Sequence, residues 1–241
     1  MAENRFVFVA PMYNACATLE RMLHSLYGQS YSNWHLVLID DVSDTEQAVH
    51  SKKLLRAFEE INPGHVTSIF NAEKKWEVAN VLEGIKLCED NDIVCRIDAD
   101  DWLTDLDSLA IIGAYYQQTG CEALWTAHRW SFSDKNISGP MDDDADPYKH
   151  PWVSSHLKTF RKFLLNEVKD ENYRGEDGNY IRRAGDQAIY LPALYNTKKR
   201  IFLPRVMYHY TIKDIPETYQ TSDAVFQRDE AIFLRQRGYV K

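Results

Sequence analysis

Four short apolar runs punctuate the first hundred residues: RFVFVA (5–10), WHLVLI (34–39), VTSIF (66–70) and DIVCRI (92–97). Segments with helical periodicity separate them. Leu19, Met22, Leu23 and Leu26 recur at helical spacing and stop at Gly28. Residues 45–60 read as a helix halted by the NPG at 62–64, and residues 77–88 carry Val78, Val81, Leu82 and Ile85 on one face. Strand–helix alternation of this kind predicts a parallel, doubly wound α/β sheet. Runs that are apolar throughout, rather than at every second residue, belong to strands covered by helices on both faces. Such sheets bind ligands beyond the carboxyl ends of their strands.

The segments at those carboxyl ends are polar: PMYN after the first run, DDVSDT after the second and DADD after the fourth. In DADD, Asp98, Asp100 and Asp101 bring like charges side by side. An extended chain would turn Asp98 and Asp100 to one side, with Asp101 beside them. The chain already carries a net charge of −8, so the cluster calls for a cation. Converging carboxylates favour a hard divalent ion with oxygen ligands, Mg²⁺ or Mn²⁺. An isolated DxD is more often a solvated loop, but here two further polar segments share its rim. The acidic body offers no general attraction to nucleic acid or anionic membrane, although a local basic patch is still allowed.

After residue 105 the pattern changes. A helix is expected at 107–118, a strand within CEALWTAHRW (121–130) and a polar loop over 133–150 containing DDDAD (142–146). Further helices are expected at 158–168, from about 186, and at 223–237, with a strand at 200–207. The chain reads as one domain in two halves, 1–105 and 106–241. Its four cysteines, Cys16, Cys88, Cys95 and Cys121, show no zinc-type spacing and sit in apolar stretches. Buried free thiols in a reducing compartment are expected. With no leader-like N-terminus and no apolar run long enough for a membrane helix, the expectation is a cytoplasmic protein without stable membrane insertion.

FVAPMYNACATLERMLHSLYGQSYSNWHLVLIDDVSDT followed by IVCRIDADD resembles the family 2 glycosyltransferases of the GT-A fold, over roughly the first 105 residues. The resemblance implies a Rossmann-like, mixed but mostly parallel sheet, a nucleotide-sugar donor (a UDP-sugar at family level), a DxD-bound Mn²⁺ or Mg²⁺, and inversion at the anomeric carbon. Carried over by position, Pro11 and Tyr13 would line the base site. Asp41 would hydrogen-bond base or ribose with Asp40 in support. Asp98 and Asp100 would form the DxD, with Asp100 as direct metal ligand and Asp101 sharing metal or ribose contacts. In NAEKKWEVAN (71–80), Lys74, Lys75 and Asn80 are candidates for donor contacts, and Trp76 stands where the family has a glycine.

Inverting transfer needs a carboxylate to accept the proton of the attacking hydroxyl. RGEDGN offers Glu176 and Asp177 and matches the family's Glu–Asp pair, but reads as a turn. RAGDQAIYLPAL offers Asp186 at the head of an apolar helix, followed by a basic turn, a strand and an aromatic pair, in the family's order. Asp186 is therefore the expected base, with Gly185 in place of the usual glutamate. His209, in YHY, is either a metal or phosphate contact or a satisfied structural group. His156, Lys158 and Arg161 form a phosphate or acceptor clamp or the solvated basic face at the start of a helix, the second reading favoured for Arg161. Trp102, Trp125, Trp130 and Trp152 stack on sugars or fill the core. The acceptor is a glycan or another hydroxyl compound, with a hydroxymethylated DNA base as an alternative. A nucleotidyltransferase and a non-catalytic sugar-nucleotide module are the competing classes.

Overall fold

The computed structural model describes residues 3–212 and 222–241. The first half alternates as the periodicities require: β1 (Phe6–Met12), α1 (Cys16–Tyr27), β2 (Trp34–Asp40), α2 (Thr45–Ile61), β3 (Val66–Phe70), α3 (Trp76–Ile85) and β4 (Ile93–Arg96). The second half adds β5 (Trp102–Leu103), α4 (Ser108–Thr119), β6 (Ala123–Trp130), β7 (Lys158–Arg161), α5 (Gly185–Tyr195), β8 (Arg200–Tyr210) and α6 (Ser222–Arg237). One eight-stranded sheet runs through both halves in the order β3-β2-β1-β4-β7-β6-β8-β5. β1 pairs in parallel with β2 and β4, and β2 in parallel with β3. β7 runs antiparallel between β4 and β6, while β6 and β8 are parallel.

Continuous apolar strands divide their side chains between two cores. Phe6, Phe8, Ala10, Leu36 and Leu38 face a layer built on Leu19, Met22, Leu23 and Leu26 of α1, with α2 and α4. Val7, Val9, Val37 and Ile39 face the other, built on Val78, Val81 and Ile85 of α3 and on α5. Period-2 alternation along the strand and a 3.6 period along the helices make both layers at once. α3 comes so close to the sheet that a Cβ on Gly84 would lie 2.6 Å from Val9 Cγ1.

One expected element is different. Residues 158–168 are not a helix: 158–161 form β7 and a 3₁₀ turn covers 162–165. Leu157, Phe160 and Leu164 fit a helical stripe, but the slot between β4 and β6 takes this segment as a strand. Lys158 is consequently not on a solvated face; it is 1% exposed. The four cysteines are unpaired, three of them buried. Among the described residues, no helix is long and apolar enough to cross a membrane.

Candidate active site

The carboxyl ends of β1, β2 and β4 meet on one rim, and two buried aspartates shape it. Asp40 Oδ1 accepts the N–H of Ser43 at 2.7 Å, closing the turn after β2. Asp41 accepts the N–H of Lys75 at 2.8 Å and of Trp76 at 2.9 Å, and the Asn71 amide at 3.1 Å. Burial pushes the Asp41 carboxyl up, but these donors outweigh it and hold the group below its ordinary value. Asp41 thus seats the first turn of α3 on the tip of β2.

That seat fixes Trp76, whose backbone is left-handed at φ +68°. The glycine-like position noted in the sequence does require a glycine-like conformation, and a tryptophan adopts it. Three cations approach its ring: Lys74 at 5.2 Å, Arg183 at 5.2 Å and Arg182 at 5.5 Å from the centroid. Lys74 also lies 3.2 Å over Tyr13 and 3.9 Å from Asp41 Oδ2. Burial lowers the Lys74 pKa, with Asp41 opposing and Arg183 adding. Arg182 and Arg183 are held from behind by Glu230 of α6, whose carboxylate accepts the N–H groups of residues 182, 183 and 184 at 2.9, 2.7 and 3.0 Å.

These groups wall a cavity of about 760 Å³ that takes in Pro11, Met12, Tyr13, Asp41, Lys74, Trp76, Glu77, Asn80, Arg96 and Asp98, together with Arg182, Arg183 and Asp223, the last paired with Arg183 at 2.8 Å. Of the residues expected to contact a donor, Pro11, Tyr13, Asp41, Lys74, Asn80 and Asp98 line it; Asp40 and Lys75 do not. The Lys75 ammonium turns away to Glu83, at 2.8 Å. Glu77, Arg96, Arg182 and Arg183 were missed in the sequence. Only Arg96 left a signal there, as a charge inside an otherwise apolar run.

Arg96 is buried and organises the floor. Its Nη2 donates to Glu77 Oε1 at 2.6 Å and Asp98 Oδ1 at 2.8 Å, and its Nη1 to the Ile97 carbonyl at 2.7 Å. A guanidinium with this many acceptors stays charged despite burial. The Glu77 carboxyl is raised to about 7 by burial, with Arg96 opposing and Asp98 and Asp186 adding.

The DADD segment is a turn, not an extended chain: the Asp101 N–H donates to the Asp98 carbonyl at 3.0 Å. Residues i and i+3 therefore converge in place of i and i+2. Asp98, Asp101 and His156 bring one ligand atom each within 4.8 Å of one another. Asp100 and His209 are not in that group. The Asp100 carbonyl accepts the Thr211 hydroxyl at 2.5 Å. His209 stacks on Trp102, centroids 3.7 Å apart, and contacts Ser131 at 3.3 Å. Strand alternation in β8 explains this: Tyr208 and Tyr210 point to the site and hold the His156 ring between them, at 4.8 and 4.9 Å.

The donor set fits a divalent cation. Asp101 is 1% exposed; its Oδ1 accepts the Thr211 N–H at 2.7 Å, while Oδ2 is buried with no hydrogen-bond partner. Burial and the charges of Asp98 and Asp100 push the Asp101 carboxyl well up. Burial, then Lys158, pushes the His156 imidazole well down and keeps it neutral; the Lys158 Nζ lies 3.1 Å from Nδ1, a contact that metal ligation would have to displace or share. A cation satisfies the orphaned oxygen and the repulsion together.

Asp186 sits in the first turn of α5, its Oδ2 3.7 Å from the buried Lys158 ammonium. It opens on a second cavity of about 250 Å³, shared with His128, His156, Trp130, Trp152, Tyr210 and Gln227. Gln227 also lines the larger cavity, so the two adjoin. Asp177 is exposed, bound to the Asn179 N–H and amide at 2.9 Å, and lines neither. Arg161 ties the far end of β7 to Asn91 and Asn4, Trp125 is in the core, and the 142–146 loop is latched by Arg200 through the carbonyls of Asp142, Asp143 and Ala145.

Comparison with known proteins places this arrangement. The profile described as glycosyl transferase family 2 matches residues 7–170, more than half of the chain. No curated protein sequence matches. Among solved structures, TarS of S. aureus (residues 1–349) in complex with UDP is similar with a TM-score of 0.67 and 17% identity, covering 87% of this chain and 61% of that one. The mannosyltransferase PcManGT from Pyrobaculum calidifontis, in complex with GDP-Man and Mn²⁺, gives a TM-score of 0.64 and 17% identity, covering 96% and 64%. The chain thus spans about three fifths of the length of these structures, and at such identities they speak for the GT-A fold. With the family profile, the mixed sheet and the rim of carboxylates in agreement, the chain belongs to glycosyl transferase family 2.

Proposed function

We propose that the chain transfers a sugar from a nucleoside diphosphate sugar, UDP-linked by family expectation, to an acceptor hydroxyl with inversion. The observation that carries this reading is the meeting of two cavities. One is lined by charges of both signs, by Tyr13 and Trp76, and includes Asp98; the other is aromatic-walled and opens on Asp186. In this reading the 1–105 half supplies most of the donor side and the 106–241 half the acceptor side.

Tyr13 and Trp76 offer faces to the base, and Lys74, Arg182 and Arg183 offer charge to the phosphates. Asp98, Asp101 and His156 would hold Mn²⁺ or Mg²⁺, which when bound neutralises charge on the departing diphosphate. Asp186 accepts the proton of the acceptor hydroxyl as its oxygen bonds the anomeric carbon and the bond from that carbon to the diphosphate oxygen breaks. The α5 N-terminus and the Lys158 ammonium, 3.7 Å away, set positive charge beside Asp186, and proton transfer is late, as the hydroxyl acidifies. Trp130, Trp152 and Tyr210 give the acceptor an apolar wall on which a sugar ring can stack.

The test compares two aspartates. Asp186→Asn should bind donor nucleotide as the wild type does yet lose about 10²-fold or more in turnover. Asp177→Asn should change neither. If Asp177→Asn is the inactive variant, the base is misassigned.

A further inference from the structure

Gly185 immediately precedes Asp186, and its backbone is not in the left-handed region, so conformation does not explain a glycine there. Space does. A Cβ at 185 would lie 2.4 Å from Glu77 Cδ, 2.6 Å from Oε1 and 2.7 Å from Oε2. The Glu77 carboxylate from α3 occupies the volume where a side chain at 185 would begin.

That carboxylate lines the larger cavity beside Asp98 and Arg96. Its Oε1 is clamped by the same Arg96 nitrogen that binds Asp98, which fixes it relative to the proposed phosphate end. Against Gly185 it also adjoins Asp186, at the proposed acceptor end. A sugar joined to a diphosphate and attacked from the Asp186 side must lie between those two ends. Oε2, which Arg96 does not engage, is the acceptor there for its hydroxyls.

We infer that Glu77 is the specificity-determining residue for the transferred sugar: it accepts hydrogen bonds from the sugar's hydroxyl groups, and Gly185 is the glycine that makes room for it. This rests on the nucleotide-sugar reading above. Losing a hydrogen bond between a hydroxyl and a largely buried carboxyl group is worth about tenfold in affinity.

The experiment is calorimetry in the presence of Mn²⁺, without acceptor, with UDP, GDP and a panel of UDP- and GDP-sugars whose members differ in single hydroxyl orientations. The wild type should prefer one sugar over its epimers by about tenfold or more. Glu77→Gln should collapse that preference while leaving UDP and GDP affinity unchanged. Gly185→Ala, which pushes Glu77 aside, should do the same. Combined with Glu77→Ala it should add nothing, because the space is then free. A wild type with no epimer preference overturns the inference, as does a Glu77→Gln variant that keeps the wild-type preference or loses nucleotide and nucleotide-sugar affinity alike. So does full additivity of the two alanine changes. If neither UDP nor GDP binds the wild type, the nucleotide-sugar reading itself fails and takes the inference with it.

Discussion

Trp76 shows how single residues trade stability for placement. A bulky residue at φ +68° costs about 1–2 kcal/mol relative to glycine. Its ring gathers Lys74, Arg182 and Arg183 on the cavity wall. Trp76→Gly should therefore fold at least as stably as the wild type in urea titrations while binding nucleoside diphosphate several-fold more weakly. Loss of both properties together would mean that the ring serves packing. Asp41 makes the complementary case. Its folded pKa lies below its unfolded value of about 3.9, so its stabilisation is complete above that value and is lost as pH falls through the folded pKa. Asp41→Asn should cost about 1–3 kcal/mol at pH 7, and the gap to the wild type should narrow at pH 3. A gap that is constant with pH would show that the carboxylate charge is not what seats α3.

Among the elements, the first half was legible because its strands are apolar on both faces and its helices on one, so local pattern and final environment agree. The close contact of α3 with β1 and β2 is a consequence. Gly84→Ala would bring a Cβ to 2.6 Å from Val9 and 3.1 Å from Ile39. Overpacking there should cost about 1–3 kcal/mol in thermal or urea unfolding, less the helix propensity that alanine restores. An unchanged stability would mean the layer can move apart freely. β7 was illegible for the opposite reason. Leu157, Phe160 and Leu164 suit a helix as well as a strand, and only the slot between β4 and β6 decides. β5, two residues long, has no pattern to read. The site divides likewise. Pro11, Tyr13, Asp41, Asp98 and Asp101 stand at strand tips, where a doubly wound sheet announces its ligand rim. Glu77, Arg182 and Arg183 reach it through helix seating and the Glu230 brace, and His156 and Lys158, already candidates for a clamp, reach it through the β7 insertion and not from a helix face; none of these placements is written in local sequence. The DADD segment misled because a turn, rather than an extended chain, follows β4.

The whole molecule is acidic, with a net charge of −8, yet concentrates Lys74, Arg96, Lys158, Arg182 and Arg183 around adjoining cavities. Asp41, Glu77, Asp98 and Asp223 line the same cleft, so its charges balance, and in the proposed reading an anionic donor enters together with a divalent cation. In that reading Asp98, Asp101 and His156, whose ligand atoms lie within 4.8 Å of one another, would hold the cation. The most direct measurement of this account is calorimetric titration of UDP and GDP, with and without Mn²⁺, into the wild type and Asp101→Asn. The variant keeps an oxygen for the Thr211 N–H and should unfold at the wild-type temperature. The account predicts saturable, Mn²⁺-dependent binding of at least one nucleotide to the wild type, weakened about tenfold or more in Asp101→Asn. Absence of binding to the wild type, or equal affinity with and without Mn²⁺ in both proteins, would contradict it.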